Sequence, residues 1–81
     1  MSTEVTADRT LDATGLACPM PVVQTKSELE EMTDGEVLEI LATDPGAEED
    51  IPALASRTDN EFLGVEDRAG DKLALYLKRT D

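Results

Sequence analysis

Hydrophobic and polar residues are arranged along this chain of 81 residues so that six short elements are predicted. Residues 9–13 and 36–43 predict strands, and apolar residues at helical spacing predict helices over residues 19–32 and 49–58. Residues 61–67 and 72–79 flank a turn through Ala69, Gly70 and Asp71 and predict a hairpin. The predicted element order is therefore βαβαββ.

This order predicts an α/β (α+β) two-layer sandwich, with two helices on one face of a four-stranded sheet. Residues 1–8 are polar and are expected to form a flexible N-terminal segment, and residues 9–81 are expected to form one domain. The opposite sheet face, with Val37, Leu41 and Tyr76, is expected to be partly covered and is a candidate contact surface. The predicted core consists of the apolar residues that face the helices: Leu11, Val22, Leu29, Leu38, Ile40, Ile51, Leu54, Leu73, Leu75 and Leu77.

Charge narrows the possible partners. Nineteen acidic residues against seven basic ones give a net charge of −12, which opposes binding to the phosphates of DNA or RNA. Acidity dispersed in this way is also typical of a halophile's cytosolic protein. The sequence has no apolar run of the roughly 18 residues that span a membrane, and its start lacks the pattern of a signal peptide. We therefore expect a cytoplasmic protein with no membrane or direct nucleic-acid contact.

Missing residue types narrow the chemistry as well. The chain has no histidine and one cysteine, so it cannot build a Cys-His nucleophile pair, a zinc site of the usual kind or a CxxC dithiol. No metal site is predicted. Whatever the cysteine attacks or carries must be exchanged with another molecule.

That cysteine, Cys18, is the candidate catalytic residue. It precedes Pro19 and Pro21, which are tolerated at the start of a helix, where unpaired N–H groups and the helix dipole favour a thiolate. Pro19 and Pro21 are expected to position the thiol, and Gly15 to form the preceding turn. Asp12 is either a solvated carboxylate at the end of a strand or a residue that fixes this turn.

These residues resemble a known family. Asp12, Gly15, Leu16, Cys18, Pro19 and Pro21, followed by Asp44, Pro45 and the run Asp50–Ile51–Pro52, are similar to the TusA/SirA family of small sulfur-carrier proteins over residues 9 to 79. The resemblance implies a mixed sheet and no metal or organic cofactor. It implies that a cysteine desulfurase passes persulfide sulfur to Cys18, which relays it to an acceptor protein, in pathways such as tRNA thiolation, molybdenum-cofactor assembly, sulfur oxidation or selenium metabolism. Members that serve tRNA thiolation commonly have a basic residue where this chain has Ala17.

Two other functions stay open. The chain could be a non-catalytic regulatory module in which Cys18 only senses redox state, or a peroxidase with a single cysteine. The peroxidase is disfavoured because the sequence offers no histidine and few arginines to activate a peroxide. The favoured interpretation is that the chain is a sulfurtransferase-type persulfide carrier rather than an enzyme that turns over many times on its own.

Overall fold

A computed structural model of the chain describes residues 7–17 and 19–80. Its elements are strand β1 (Arg9–Ala13), helix α1 (Met20–Glu30), strand β2 (Val37–Ala42), helix α2 (Ala47–Arg57), strand β3 (Glu61–Arg68) and strand β4 (Lys72–Lys78). The predicted order βαβαββ is confirmed. The predicted flexible segment falls mostly outside the described residues and stays a prediction, although the N–H of Asp8 donates to the carbonyl of Val37 at 2.8 Å. Within the described residues, neither α1 nor α2 has the length and apolarity needed to span a bilayer.

The four strands form one mixed sheet in the order β1-β2-β4-β3. Strand β1 is parallel to β2, and β4 is antiparallel to both β2 and β3. Parallel strands need a crossover connection, which α1 supplies between β1 and β2. Helix α2 likewise leads from the end of β2 to the start of β3, which runs in the same direction. The loops after β1 and β2 and the β3–β4 turn therefore meet at one edge of the sheet, called here the loop edge, where both helices begin.

The core lies between the sheet and the two helices. All ten predicted core residues belong to the buried cluster or pack against it, with Leu11, Val22 and Leu73 only partly buried. The prediction omitted Met32 and also four alanines of this cluster, whose short side chains contribute little to a periodic pattern. These four are Ala13, Ala42, Ala47 and Ala55.

Both helices differ from their predicted bounds by one to two residues at each end. Helix α1 ends at Glu30 because the next two N–H groups bond to carbonyls only three residues back, which tightens the last turn. Helix α2 begins at Ala47, earlier than the predicted residue 49, so Pro52 lies in its second turn. The apolar spacing did not detect this start, because the two added residues are Ala47, whose short side chain contributes little to an apolar pattern, and Glu48, which is exposed.

The open face of the sheet is more covered than its pattern suggests. Val37 and Leu41 are half-buried as expected, but Tyr76 is only 7% exposed. Its hydroxyl donates to Glu39 Oε2 at 2.8 Å and accepts from Arg68 Nη2 at 2.5 Å. Burial, and then the hydrogen bond to Glu39, raise the pKa of Tyr76. Paired side chains therefore occupy the centre of the predicted contact surface.

Candidate functional site

The loop after β1 begins with a turn that Asp12 holds in place. Asp12 Oδ1 accepts hydrogen bonds from the backbone N–H of Thr14 at 3.0 Å and from its hydroxyl at 2.6 Å. The hydroxyl first, then the N–H and the charge of Lys72, hold the pKa of the Asp12 carboxyl below its ordinary value. Asp12 is thus an exposed carboxylate that also bonds to the turn residue Thr14, and its role in supporting Cys18 stays a prediction.

Gly15 joins this loop to the loop after the neighbouring strand. Its N–H donates to Thr43 Oγ1 at 2.9 Å, across the parallel pair of β1 and β2. Its φ of +80° lies in the left-handed region that favours glycine. A side chain here would meet no atom within 4 Å, so backbone conformation rather than space calls for glycine.

Backbone hydrogen bonds also join described residues close to Cys18 in sequence. The N–H of Leu16 donates to the carbonyl of Ala13 at 3.3 Å, and the N–H of Met20 donates to the carbonyl of Ala17 at 2.9 Å. Cys18 itself lies outside the described residues, so its predicted place at a helix start stays a prediction. The chain on either side of Cys18 is held at the loop edge.

The N-terminal end of α1, which carries the positive end of the helix dipole, has no acidic residue of its own helix beside it. Pro19 is the N-cap, no side chain caps the helix, and the first turn contains no acidic residue. Pro21 is buried within that turn, where its missing N–H removes no helical hydrogen bond. The first turn of α2, by contrast, carries three acidic residues, Glu48, Glu49 and Asp50. An anion near the start of α1 would therefore be favoured.

The surface around this helix start is apolar and exposed. Met20 is 42% exposed and Val23 is 52% exposed, and Ala17 and Pro19 are exposed as well. Among the residues that the structure describes, no group of three or more acidic, histidine or cysteine side chains is arranged to hold a metal ion. The start of α1 thus combines an uncapped helix N-terminus with an exposed apolar surface.

Comparison with known proteins identifies the family. Residues 9–79 match the family described as sulfurtransferase TusA. The chain belongs to the TusA family. The sulfur carrier protein TusA of Allochromatium vinosum is 43% identical over 73 residues, which cover 90% of this chain and 95% of that protein. A longer relative from Aquifex aeolicus is 45% identical over 75 residues, and the chain spans 38% of its length.

The fold has a solved counterpart. The crystal structure of a SirA-like protein from Desulfitobacterium hafniense superimposes with a TM-score of 0.79, covering 90% of this chain and 99% of that one. At 20% sequence identity, this similarity shows the fold alone. The resemblance of the sequence to the TusA family is confirmed by the family match and the relatives, and this structure confirms the predicted fold.

Within this TusA domain, the predicted residue Asp12 lies near the end of β1, Gly15 and Pro19 lie in the β1–α1 connection, and Pro21 lies in the first turn of α1. Sequence reasoning missed Thr14 and Thr43. Thr14 carries a usable signal, because a hydroxyl residue two positions after an aspartate is typical of a local side-chain turn. Thr43 carries none, since its contact with Gly15 depends on how β1 and β2 pair.

Proposed function

We propose that this TusA-family chain is a sulfur carrier in which Cys18 receives sulfur from the persulfide of a cysteine desulfurase and passes it to an acceptor protein. The observation that carries the proposal is the start of α1. Its N-terminal turn has neither a side-chain cap nor an acidic residue, although the chain is strongly acidic elsewhere. Such a helix start favours a negatively charged sulfur next to it.

The transfer needs no cofactor, because moving the outer sulfur of a persulfide from one cysteine to another involves no net oxidation or reduction. The Cys18 thiolate attacks the outer sulfur of the donor persulfide. A new S–S bond forms to Cys18, the S–S bond of the donor breaks, and the donor cysteine leaves as a thiolate. The same exchange with an acceptor thiolate returns Cys18 to its starting form. The chain contains no second cysteine that could resolve the persulfide internally.

Hydrogen bonds among the residues before and after Cys18 in sequence support this role. Thr14 bonds to Asp12 and Gly15 to Thr43, and the N–H of Met20 bonds to the carbonyl of Ala17. A nucleophile held in place gives up less conformational freedom when it meets its target.

The proposal also names the proteins from which and to which sulfur moves. We assign a cysteine desulfurase as donor and a protein of tRNA thiolation or molybdenum-cofactor assembly as acceptor, and we place the relay in the cytoplasm. A reducing compartment keeps a lone thiol free to exchange sulfur. Direct contact with tRNA is not proposed, since a net charge of −12 opposes it.

Intact-protein mass spectrometry tests the proposal. Incubation with a desulfurase and cysteine should add one sulfur atom to Cys18, and Cys18→Ser should abolish the gain while the circular dichroism spectrum stays unchanged. A Cys18→Ser protein that still gained sulfur would refute the assignment. No sulfur gain by the parent would favour a redox-sensing module, and rapid sulfenic acid formation with peroxide would favour a peroxidase.

A further inference from the structure

Three of the seven cations of this chain line one cavity at the end of the sheet opposite the loop edge. The cavity has a volume of about 290 Å³ and lies where α1 and α2 end and β3 begins. That volume is close to the lower limit of the range of about 300–1,000 Å³ that is usual for small-molecule sites. We call it the helix-end cavity, and its lining residues are Lys26, Leu29, Glu30, Arg57, Thr58, Asp59, Asn60 and Arg79.

The charge of this lining is opposite in sign to that of the whole molecule. Three cations and two carboxylates give the helix-end cavity a net charge of +1, whereas the chain carries −12. Elsewhere in the chain, Arg9 and Arg68 each pair with two carboxylates at 2.6–3.7 Å. Among the described residues, by contrast, no carboxylate pairs with Lys26, Arg57 or Arg79. The three cations can therefore pair with an anion from outside the chain.

Arg79 is anchored in a way that leaves one edge of its guanidinium unused. Its backbone N–H donates to the carbonyl of Glu36 at 2.9 Å, and its Nη1 donates to the carbonyl of Leu29. Its Nε is buried and has no hydrogen-bond partner among the described residues. Nε and Nη2 form the edge with which an arginine binds two oxygens of one carboxylate or phosphate. A bound oxyanion would supply the acceptor that Nε lacks.

Hydrogen bonds hold the wall of the cavity that the turn after α2 forms. Asn60 donates through Nδ2 to Thr58 Oγ1 at 2.8 Å and accepts from the N–H of Thr80 at 3.1 Å. The hydroxyl of Thr80 donates to the carbonyl of Asp59 at 2.5 Å. The turn after α2 is thus tied to the chain that follows β4. A wall fixed in this way gives up little conformational freedom when a ligand binds.

The negative ends of the two helix dipoles do not account for all three cations. Arg57 lies in the last turn of α2, where a cation balances the dipole, and Arg79 caps a carbonyl at the end of α1. Lys26 lies before the last turn of α1, and that turn contains no basic residue. Glu30, four residues further along the helix, is exposed and does not pair with Lys26. The position of Lys26 therefore calls for a reason outside the helix.

We propose that the helix-end cavity binds a phosphate group, either free or carried by a small phosphorylated metabolite. A phosphate ester has three strong acceptor oxygens and about −1.5 to −2 charges at pH 7, so one group can contact cations from α1, α2 and the segment after β4. A carboxylate has two oxygens and a single charge and would satisfy fewer of them. The inference does not depend on the proposed function, because the cavity lies at the opposite end of the fold from the loop edge.

An NMR titration of the isotope-labelled protein with sodium phosphate at pH 7 tests the site, with KCl added to hold the ionic strength constant. The backbone amide signals of Leu29, Thr58 and Asn60 should shift and saturate, and those of Thr14 and Gly15 at the loop edge should stay unchanged. Shifts that do not saturate, or that spread equally over both ends of the molecule, would show charge screening only and would overturn the site.

Variants at exposed cations locate the binding. Lys26→Gln and Arg57→Gln should each weaken phosphate binding by about fivefold or more, because each removes a charged donor from the cavity. Lys72→Gln removes the same charge at the loop edge and should stay within about twofold of the parent. Equal weakening by Lys72→Gln and Lys26→Gln would mean that net charge rather than the cavity governs binding, and the site would be wrong.

A comparison of ligands tests the phosphate class. Binding of glycerol phosphate as tightly as inorganic phosphate would support a phosphorylated metabolite, and binding of inorganic phosphate alone would support the free ion. Tighter binding of malonate, which carries two carboxylates, would overturn the assignment to phosphate.

Discussion

Thr25 is the one buried polar residue of the described chain, and its replacement by valine should stabilise the fold. The side chain is 0% exposed on the buried face of α1, and its hydroxyl has no hydrogen-bond partner among the described residues. A buried hydroxyl without a partner has lost its hydrogen bonds to water and has formed none within the protein.

The size of the gain follows from three contributions. Leaving a buried hydroxyl unpaired costs about 1–3 kcal/mol. Thr25→Val replaces it by a methyl group of nearly the same volume, whose burial contributes up to about 0.8 kcal/mol. Both side chains are branched at Cβ, so their loss of rotamer freedom in the helix is similar. We expect the free energy of unfolding to rise by about 1 kcal/mol or more, with about 4–8 °C in Tm for each kcal/mol in a domain of this size.

Urea and thermal unfolding, followed by circular dichroism, provide the assay. Thr58→Val is the matched control, because the Thr58 hydroxyl donates to the carbonyl of Leu54 and accepts from Asn60, both at 2.8 Å. The same chemical change there should lower the free energy of unfolding by about 1–2 kcal/mol. A Thr25→Val protein less stable than the parent would show that the hydroxyl has a partner and that the reasoning is wrong.

Two further predictions concern the loop before Cys18. The lowered pKa of Asp12 means that its charge stabilises the fold above the ordinary value of 3.8 and that this contribution is lost as the pH falls through the lower folded value. The difference in urea midpoint between the parent and Asp12→Asn should therefore be largest at neutral pH and shrink below about pH 4. A gap that does not depend on pH would contradict this. Gly15→Ala should lower the free energy of unfolding by about 1–2 kcal/mol and slow sulfur loading, because an alanine is strained at a φ of +80° even though no atom blocks its side chain. Unchanged stability would exclude backbone strain as the reason for glycine at this position.

Much of the site could be predicted from the sequence because its signals are local. The two prolines after Cys18, the glycine before it and the aspartate at the end of β1 lie within ten residues of one another. The element order and the ten core residues follow from periodicity within each segment, which does not require knowledge of how the segments pair. Family membership could be predicted for the same reason, since each of the two motifs, in residues 12–21 and 44–52, lies within a short stretch of sequence.

The remaining features were decided by the tertiary structure. The bond from Gly15 to Thr43 joins residues 28 positions apart, and the contact between Glu39 and Tyr76 joins residues 37 positions apart. Both depend on the strand order β1-β2-β4-β3 and its register, which no local pattern encodes. The same order brings the first turn of α2 to the edge where α1 begins. The exposed apolar residues at the start of α1 and the acidic residues at the start of α2 are separate stretches of sequence, and only the packed sheet brings them to the same end of the molecule.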